Sequence, residues 1–554
     1  MANFKNARPM STPEGLRNPL GQLNVRTPGK QKFVEARINR GMFTSIDPAD
    51  LEPGMLQRAR NARCRFDRTS RRPGSVLLTP AKPDALAVVT MAYHKTNNNV
   101  KRVIRFTPST IHYLNAGAWT NVPAAVGPPA GSLTGAVTDR FRAVTLYDRF
   151  VFTNNGVDVI QEIDFTVPEY KPLGNAPKYK YITGFYERLV GANLVDSASD
   201  PTQVGWSAQF NIDEWDPLTD ESAGSAPLTD SPSDRADFIT GLFGFTNVMI
   251  VLRERSIWLA TKQPIAQNPF FFYTAFPGLG CDAPNSAVVA LNGLIWLDTR
   301  SETVWFYTPG GEPDPIGRPI EKDLIRGITD QSQVFASFDP IEHEYTVCVP
   351  VSSGIVRCWT FNFRTKAWTY DERPGITSIN DIDFALPTTT IDDLGDIPID
   401  QLQGTIDDLS PDREDVPTRF FGRSDGEILQ EDDEEYVDPA FGADFNGTFT
   451  TELVSKSIHI PTDDIYVCEI NLELIPRAGG DITIQYSKNG GVTFATPQKL
   501  IAIESGDIGK PIQYRWVKHI RCRKFAWRLL GTGGQWDLVN YTVYVHKGAE
   551  SAQK

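Results

Sequence analysis

Residues 344–370 contain the stretch that decides the expected fold. It consists of Glu344-Tyr-Thr-Val-Cys-Val349, the turn Ser352-Ser-Gly354, Ile355-Val-Arg-Cys-Trp-Thr-Phe-Asn-Phe363 and Lys366-Ala-Trp-Thr-Tyr370. β-Branched and aromatic residues favour strands, and a Gly-containing turn between two such runs is typical of a hairpin. The stretch therefore predicts antiparallel strands that are joined by tight turns.

The same unit, an aromatic-rich strand followed by a polar turn and a second strand, recurs along the chain. Copies occupy residues 109–119, 149–160, 248–259 and 293–307, and a weaker copy occupies 419–429. They are irregularly spaced, mostly by some tens of residues, which is close to the roughly 40–50 residues of a four-stranded propeller blade. The pattern predicts a β-propeller of about six blades.

Plain alternation of apolar and polar residues returns after about residue 445. It is clearest at residues 466–474, 481–486 and 536–544. Short alternating strands with Gly-rich turns predict an antiparallel β-sandwich of roughly 100 residues. Ser487-Lys-Asn-Gly-Gly-Val-Thr-Phe494 resembles an Asp-box hairpin turn, which has a structural role and no catalytic one.

The expected fold class is therefore all-β, a β-propeller followed by a C-terminal antiparallel β-sandwich. The predicted parts are an extended basic N-terminal arm at 1–45, the propeller at 46–375, an acidic insertion with the last propeller hairpin at 376–444, and a sandwich platform domain at 445–554. No run of about 18 apolar residues is present, so no membrane span is expected. The N-terminus also lacks the apolar core of a signal peptide.

Charge is segregated along the chain although the net charge is −13. Residues 1–77 hold 15 Lys and Arg against 6 Asp and Glu, whereas residues 381–438 hold 19 acidic residues against 3 basic ones. A basic arm can contact nucleic acid or an acidic partner. The alternative is a flexible terminus that docks on a neighbouring subunit.

The acidic stretch contains the pentapeptide Thr-Ile-Asp-Asp-Leu twice, at 390–394 and 405–409. One interpretation is a surface loop pinned by its Ile and Leu side chains, and another is an acidic strip that contacts a partner or lines a lumen. Calcium binding is disfavoured because no D-x-D-x-D-G spacing is present. The candidate partner or lumen contacts are Asp392, Asp393, Asp407, Asp408, Arg58, Arg60, Arg63 and Arg65.

The spacings that common metal and nucleotide sites require are missing. The sequence has no H-E-x-x-H or G-x-x-x-x-G-K motif, and its six cysteines have no C-x-x-C spacing. Gly422-Arg-Ser-Asp-Gly426 matches G-x-S-x-G, but it is the turn of the hairpin copy at 419–429 and not a nucleophile elbow between a strand and a helix. Cys348 and Cys358 flank the Ser353 turn symmetrically and are expected to face each other as packed thiols, with a disulfide as the alternative. We expect no enzyme, no metal and no cofactor.

Several short motifs follow one another in an order that is found in one family of virion proteins. They are Arg58-Ala-Arg-Asn-Ala-Arg-Cys64, Tyr186-Glu-Arg-Leu-Val-Gly-Ala-Asn193, Val204-Gly-Trp-Ser207, Gly280-Cys-Asp-Ala-Pro-Asn-Ser286, Trp305-Phe-Tyr307 and the Thr-Ile-Asp-Asp-Leu doublet. Over about residues 40–550 the chain resembles the tail hub or nozzle proteins of short-tailed bacteriophages. In that family a β-propeller forms the tail tube below the head–tail connector.

The resemblance implies a structural subunit that assembles in the virion tail, by analogy as a hexameric ring, after synthesis in the host cytoplasm. Its partners would be a head–tail adaptor, tail fibres or spikes, a plug or needle, and DNA that passes through the channel without sequence-specific binding. The alternative function is a glycan- or receptor-binding β-propeller that uses Trp206, Trp215 or Trp258 as stacking platforms. A third is a propeller glycosidase such as a sialidase, although the Asp-box-like turn carries Asn489 where Asp is usual.

Overall fold

The computed structural model describes residues 30–115, 117–126, 133–196, 199–229, 236–351, 354–383, 417–442, 445–459, 464–495, 499–503, 505–532 and 534–546. These residues form 39 strands, one short α-helix, α1 (Glu321–Arg326), and a few single 3₁₀ turns. The all-β prediction is confirmed. Aromatic and β-branched residues dominate the strands, as a pleated, half-buried surface requires.

Five strands precede the repeated units. They are β1 (Lys30–Arg37), β2 (Leu56–Arg60), β3 (Ala62–Cys64), β4 (Thr69–Arg71) and β5 (Gly74–Leu77). Apart from the pairing of β3 with β4, their partner strands lie hundreds of residues away in sequence. This segment therefore joins distant parts of the chain.

Four antiparallel four-stranded sheets follow, which we call blades 1 to 4. Blade 1 contains β6 (Thr90–Lys95), β7 (Lys101–Phe106), β8 (Ile111–Asn115) and β9 (Ala118–Val122), and blade 2 contains β10 (Phe141–Leu146), β11 (Arg149–Asn154), β12 (Gln161–Asp164) and β13 (Glu169–Pro172). Blade 3 contains β14 (Tyr179–Phe185), β15 (Arg188–Leu194), β16 (Asp200–Trp206) and β17 (Gly224–Pro227), and blade 4 contains β18 (Ile239–Gly244), β19 (Met249–Arg253), β20 (Ser256–Lys262) and β21 (Phe270–Pro277).

Three further sheets complete the series as blades 5 to 7. Blade 5 contains only β22 (Val288–Ala290), β23 (Gly293–Asp298) and β24 (Thr303–Tyr307), and blade 6 contains β25 (Phe335–Asp339), β26 (Glu344–Pro350), β27 (Ile355–Asn362) and β28 (Ala367–Pro374). Blade 7 contains β29 (Ile376–Asp383), β30 (Pro417–Arg423), β31 (Ile428–Asp432) and the early strand β5. The described residues thus form seven such sheets, where the sequence predicts about six blades.

The blades pack against one another in circular order. Each neighbouring pair shares one cluster of buried apolar side chains, for example Phe106 of blade 1 with Phe150 of blade 2. Blade 7 packs in the same way on blade 1, where Phe420 shares a cluster with Val103. Because burying a Phe or Val side chain contributes about 1.5–3 kcal/mol, each shared cluster holds its two sheets together. This is the packing order of a β-propeller.

The C-terminal part is a sandwich of two sheets, as predicted. Its strands are β32 (Thr450–Ser455), β33 (Ile458–His459), β34 (Ile465–Pro476), β35 (Asp481–Ser487), β36 (Lys499–Ala502), β37 (Ile512–Cys522), β38 (Lys524–Thr532) and β39 (Trp536–His546). One sheet has the order β3-β4-β39-β34-β37, with β1 also paired to β39. The other runs β2-β32-β38-β35-β36 and continues into blade 6 through a parallel bridge between Arg60 and Tyr370.

The structure differs from the predicted domain boundaries at the N-terminal side. The predicted arm at 1–45 includes Lys30–Arg37, which forms β1 and pairs with β39 of the sandwich. The predicted propeller at 46–375 includes β2, β3 and β4, which also belong to the sandwich sheets. The physical reason is that alternation shows which face of a strand is buried and not which strand lies beside it.

Two local predictions can be compared directly with the structure. Cys348 and Cys358 are direct cross-strand partners with their Sγ atoms 2.7 Å apart, and both are free thiols. In the Asp-box-like turn, the Asn489 side chain accepts from the Thr493 N–H at 2.9 Å and donates to the Thr493 hydroxyl at 2.8 Å. That turn is therefore held by its own side chains, in keeping with the predicted structural role.

Candidate functional site

Two of the predicted arginines lie on β2, where blade 6 meets the sandwich. Arg58 Nη1 lies 3.2 Å from Glu452 Oε1, and Arg60 Nη1 lies 3.3 Å from Glu372 Oε2. Arg60 Nη2 also lies 3.4 Å from Glu452 Oε2, so these two arginines share one carboxylate. Arg58 is half exposed and Arg60 is less exposed. Because Glu372 lies on blade 6 and Glu452 lies on the sandwich, these ion pairs join β2 to both parts of the molecule.

The other two predicted arginines lie further along the same segment. Arg63 on β3 is buried, with Nη2 at 2.6 Å from Asp371 Oδ2 and Nε at 3.4 Å from Glu344 Oε2. Arg65 follows the strand and lies 3.5 Å from the exposed carboxylate of Asp433. All four arginines thus face acidic groups of the chain itself. The predicted acidic contacts Asp392, Asp393, Asp407 and Asp408 lie outside the described residues.

Arg63 belongs to a buried set of charged groups, which we call the junction network. The set joins β3, blade 6, blade 7 and the segment after β31, and its members are Arg63, Arg72, Arg373 and Arg419 with Glu344, Asp371, Asp381, Glu431 and Asp438. Arg72 Nη2 lies 2.5 Å from Asp438 Oδ2, and Arg373 Nη2 lies 2.6 Å from Glu431 Oε1. A buried charge is tolerated only where it is paired, and here each guanidinium has a carboxylate.

Burial and ion pairing compete in setting the pKa values of the network. Burial raises the pKa of Asp438, but Arg72 and Arg373 outweigh it and lower that pKa to about 2. At Glu344 the effect of burial is larger than that of the ion pairs, so its pKa is raised although Arg63 and Arg419 act against the shift. Burial also raises the pKa of Asp381 against the effect of Arg419, so the network has two carboxylates, Glu344 and Asp381, whose charged form is less favoured.

A cavity of about 200 Å³ opens beside the junction network. Its charged lining consists of Arg63, Arg65, Arg419, Asp339, Glu342, Glu344, Glu431 and Asp433. Because carboxylates outnumber guanidinium groups here, Arg63 and Arg65 neutralise an acidic cavity and do not form a basic patch.

A larger cleft of about 420 Å³ lies between the tip of blade 6 and the segment that precedes β32. Its lining includes the side chains of Phe441, Phe445 and Phe449 together with Arg60 and Glu372. Aromatic rings beside planar polar groups are suited to a sugar ring or an extended peptide. No sequence pattern predicts this cleft, because its lining comes from segments far apart in the chain.

The three tryptophans of the predicted glycan alternative do not line a ligand surface. Trp206, Trp215 and Trp258 are 2%, 7% and 4% exposed. Trp206 and Trp258 belong to the packed cluster of blades 3 and 4, and Trp215 belongs to that of blades 2 and 3. Trp215 also donates its indole N–H to the carbonyl of Ile212 at 3.0 Å. They are core residues, and any sugar stacking would have to use other aromatic side chains.

Strand β37 carries a basic surface that is not among the sites predicted from the sequence. It lies at the end of its sheet in the described part of the chain, and every second residue from Gln513 to Arg521 is exposed. The exposed row includes Arg515, His519 and Arg521, and Arg523 follows with 91% of its side chain exposed. Residues 508–536 contain seven Lys and Arg and no Asp or Glu. The absence of Asp and Glu from this window, in a chain of net charge −13, is the sequence signal from which the basic surface could have been predicted.

Metal clusters and membrane-spanning helices are both absent from the described residues. No group of three or more His, Cys, Asp or Glu side chains there is placed to hold a metal ion. Among the same residues, no helix has the length and apolar character needed to cross a lipid bilayer.

Comparisons with known proteins do not assign the chain to a family. No family model and no curated protein matches the chain. Among solved structures, the chain is similar to the extracellular domain of a hybrid two-component system from B. thetaiotaomicron, with 9% identity and a TM-score of 0.33 over 64% of this chain and 39% of that one. It also matches the carbohydrate-binding module TmCBM61 in complex with β-1,4-galactotriose, with 15% identity and a TM-score of 0.14 over 17% of this chain and 63% of that one. At such scores neither likeness carries an inference about a ligand or a role.

Proposed function

We propose that this chain is a non-catalytic structural subunit that works by docking on other macromolecules. The observation that carries the proposal is the path of residues 30–77 through both parts of the molecule. This segment pairs with β39 and β32 in the sandwich, bridges to β28 of blade 6, and ends as a strand of blade 7. A subunit that must transmit force benefits from such shared sheets, because no single linker separates its domains.

The more specific proposal is a subunit of the tail nozzle or hub ring of a short-tailed bacteriophage. It rests on the ordered motifs given above, which include Arg58–Cys64 and Gly280–Ser286 in sequence, together with the all-β architecture. The ring would connect the head–tail adaptor to fibres or a plug and would surround the path of the ejected DNA. A closed ring of identical subunits needs a rigid subunit with two different faces that fit each other, and the interlocked sheets provide the rigidity.

The basic strand β37 is our candidate for one contact of that ring. Its exposed arginines would face an acidic surface of the neighbouring copy, since the chain carries an excess of acidic residues elsewhere. Charge complementarity of this kind directs the orientation and rate of assembly more than its final strength. Lys and Arg side chains on an exposed edge strand also discourage unwanted strand pairing. We therefore expect only a partner with a matching acidic surface to cover this edge.

Purified virions provide the direct test of the tail assignment. We expect peptides of this chain in the virion digest, and an antibody raised against its sandwich should label the tail in electron micrographs. Absence of the chain from virions that contain their other tail proteins would refute the assignment.

A second candidate function is glycan or receptor binding, which one observation favours. Phe271 and Tyr273 on β21, an outer strand of blade 4, are 53% and 39% exposed and stack with ring centroids 5.8 Å apart. Paired exposed aromatic rings can stack on a sugar. A glycan array would test this, with the Phe271→Ala/Tyr273→Ala variant expected to lose any signal and the Leu218→Ala variant, altered at another exposed apolar residue, expected to keep it.

A glycan signal that disappears in the double variant would favour the second candidate. Failure of the wild-type protein to bind any glycan on the array would remove it.

A further inference from the structure

Two arginines of blade 2 reach towards the centre of the circle of blades. Arg140, which directly precedes β10, donates from Nη1 to the carbonyl of Val89 at 2.6 Å and also to that of Thr377 in blade 7. Its guanidinium lies over the ring of Phe335 in blade 6, at 4.8 Å from the centroid. Blades 6 and 7 are not neighbours of blade 2 in the packing order, so the Arg140 side chain extends across the axis.

Arg142 lies two residues further along, on the same face of β10, because side chains alternate along a strand. It donates from Nη2 to the carbonyl of Pro284 at 2.9 Å and to Oδ1 of Asn285 at 2.8 Å. These acceptors lie between blades 4 and 5. The two guanidinium groups therefore bring two positive charges to the middle of the propeller.

Neither arginine has an acidic partner in the described part of the chain, where no carboxylate lies within 4 Å of either guanidinium, in contrast to the arginines of the junction network. Nε of Arg140 is buried and has no hydrogen-bond partner among the described residues. Burial, together with the charge of Arg142, lowers the pKa of Arg140 to about 10. Because no carboxylate compensates these two guanidinium charges, and because a guanidinium has five N–H donors, the pair can still bind an anion.

Arg140 forms part of the wall of a cavity of about 240 Å³ between blades 1, 2, 6 and 7. A water molecule occupies about 30 Å³ in the liquid, so the cavity has room for a small molecule and not only for a single ion. Its walls are mainly apolar, and the lining includes Val137, Phe335, Ile376, Gln333 and Ser424. An electrostatic contact is stronger in such surroundings than in water.

We propose that this cavity binds a small oxyanion, a carboxylate or a phosphate, through the guanidinium of Arg140, while the nearby Arg142, which is outside the cavity lining, adds to the positive potential. The guanidinium is planar and matches the two oxygens of a carboxylate or phosphate with parallel donors. The apolar walls favour a ligand in which the anionic group is attached to a short apolar body. The proposal is independent of a role in a virion tail.

The test is calorimetric titration of the full-length protein with inorganic phosphate, with acetate and with hexanoate. We expect saturable binding of at least one probe with a Kd of about 1 mM or tighter. Saturation by phosphate would indicate a phosphate ligand, whereas binding of hexanoate more tightly than acetate would indicate a carboxylate with an apolar body. Absence of saturable binding by all three probes would overturn the proposal.

Variants connect the binding to the two arginines. Arg140→Gln should weaken binding at least tenfold and Arg142→Gln should weaken it less, whereas Arg255→Gln, altered at an exposed arginine of blade 4, should bind like wild type. Arg140→Lys keeps the charge and loses the planar fork, so it should show an intermediate affinity even if Arg140→Gln folds poorly. Equal affinities for wild type and a folded Arg140 variant would show that the ion binds elsewhere.

Discussion

Leu77 of β5 and Leu429 of β31 are direct cross-strand partners, so a residue from the first part of the chain completes the last blade. The same short strand follows directly after β4, which pairs with β39 of the sandwich. One segment therefore holds the last blade and the sandwich in a fixed relation. The stability of this arrangement depends on the packing of β5 and on the charges that flank it.

The first prediction concerns Gly74 at the start of β5. A Cβ atom at this position would lie 2.3 Å from the carbonyl oxygen of Val437 and 2.8 Å from its nitrogen, both of which are backbone atoms that cannot easily move. Gly74→Ala should therefore lower the free energy of unfolding by about 1–3 kcal/mol. Chemical denaturation would measure it.

Gly479→Ala is the matched control, because Gly479 is exposed and a Cβ atom added there would meet no other atom within 4 Å. We expect it to leave stability unchanged or to increase it by up to about 1 kcal/mol. Equal effects of the two substitutions would contradict the close packing of β5.

The second prediction concerns the buried pair of Arg63 and Asp371. Arg63→Gln removes the cation and leaves the Asp371 carboxylate buried with less compensation, so it should destabilise the fold by about 3–5 kcal/mol. Arg65→Gln, which breaks a pair with the exposed Asp433, should cost less than about 1 kcal/mol. Urea unfolding of both variants would show whether the junction network is structural, and a similar small loss for both would count against it.

The third prediction concerns pH and Asp438. Its pKa is lowered to about 2 by Arg72 and Arg373 against the effect of burial, while an unfolded aspartate titrates near 3.8. A lowered folded-state pKa adds stability that is fully present above about pH 4 and is lost as the pH falls towards 2. The group therefore contributes about 2 kcal/mol at neutral pH, of which about half should be gone at pH 3.

Asp438→Asn removes the titrating group and is the appropriate comparison. The difference in unfolding free energy between wild type and Asp438→Asn should be larger at pH 6 than at pH 3. A difference that does not change over this range would mean that the Arg72–Asp438 pair does not lower the pKa of Asp438 in solution.

The fourth prediction concerns the basic strand β37. Arg521→Glu/Arg523→Glu reverses two exposed charges and should weaken assembly of the proposed ring, most clearly at low salt, because salt screens exposed charges. The stability of the fold should be nearly unchanged, since the ion pairs of these two exposed arginines are with the partly exposed Asp464 and are screened by water. Lys95→Glu/Arg255→Glu, at exposed positions of the propeller, is the control. Sedimentation of each variant mixed with the head–tail adaptor would compare the assemblies, and equal weakening by both variants would point to net charge alone.

The strand-forming hairpins could be predicted from the sequence because their signal is local. The repeated unit at residues 344–370 corresponds to β26, β27 and β28, and the Cys348–Cys358 register follows directly from the turn between them. The alternation after residue 445 likewise marks the sandwich strands. Both patterns depend only on neighbouring residues and the period of a strand.

The candidate site could not be predicted in the same way. Because Arg63 lies in a basic segment, the sequence predicts that it is an exposed contact. In the structure it is buried among acidic groups that come from β26, β28 and β31, which are far away in sequence. Arg140 and Arg142 gave no sequence signal either, because the propeller axis is formed by strands from distant parts of the chain. Spatial pairing of charges is a property of the complete fold and not of any window of sequence.

The central claim, that the chain is a ring-forming structural subunit, is tested most directly by the mass of its complex with the head–tail adaptor protein encoded in the same genome. Mass photometry of the mixture should show a complex that contains several copies of this chain on the adaptor, and negative-stain images should show rings. A monomeric purified chain would be compatible with this claim, because the ring can require the adaptor to begin its assembly. A chain that remains monomeric in the presence of an assembled adaptor would contradict the account.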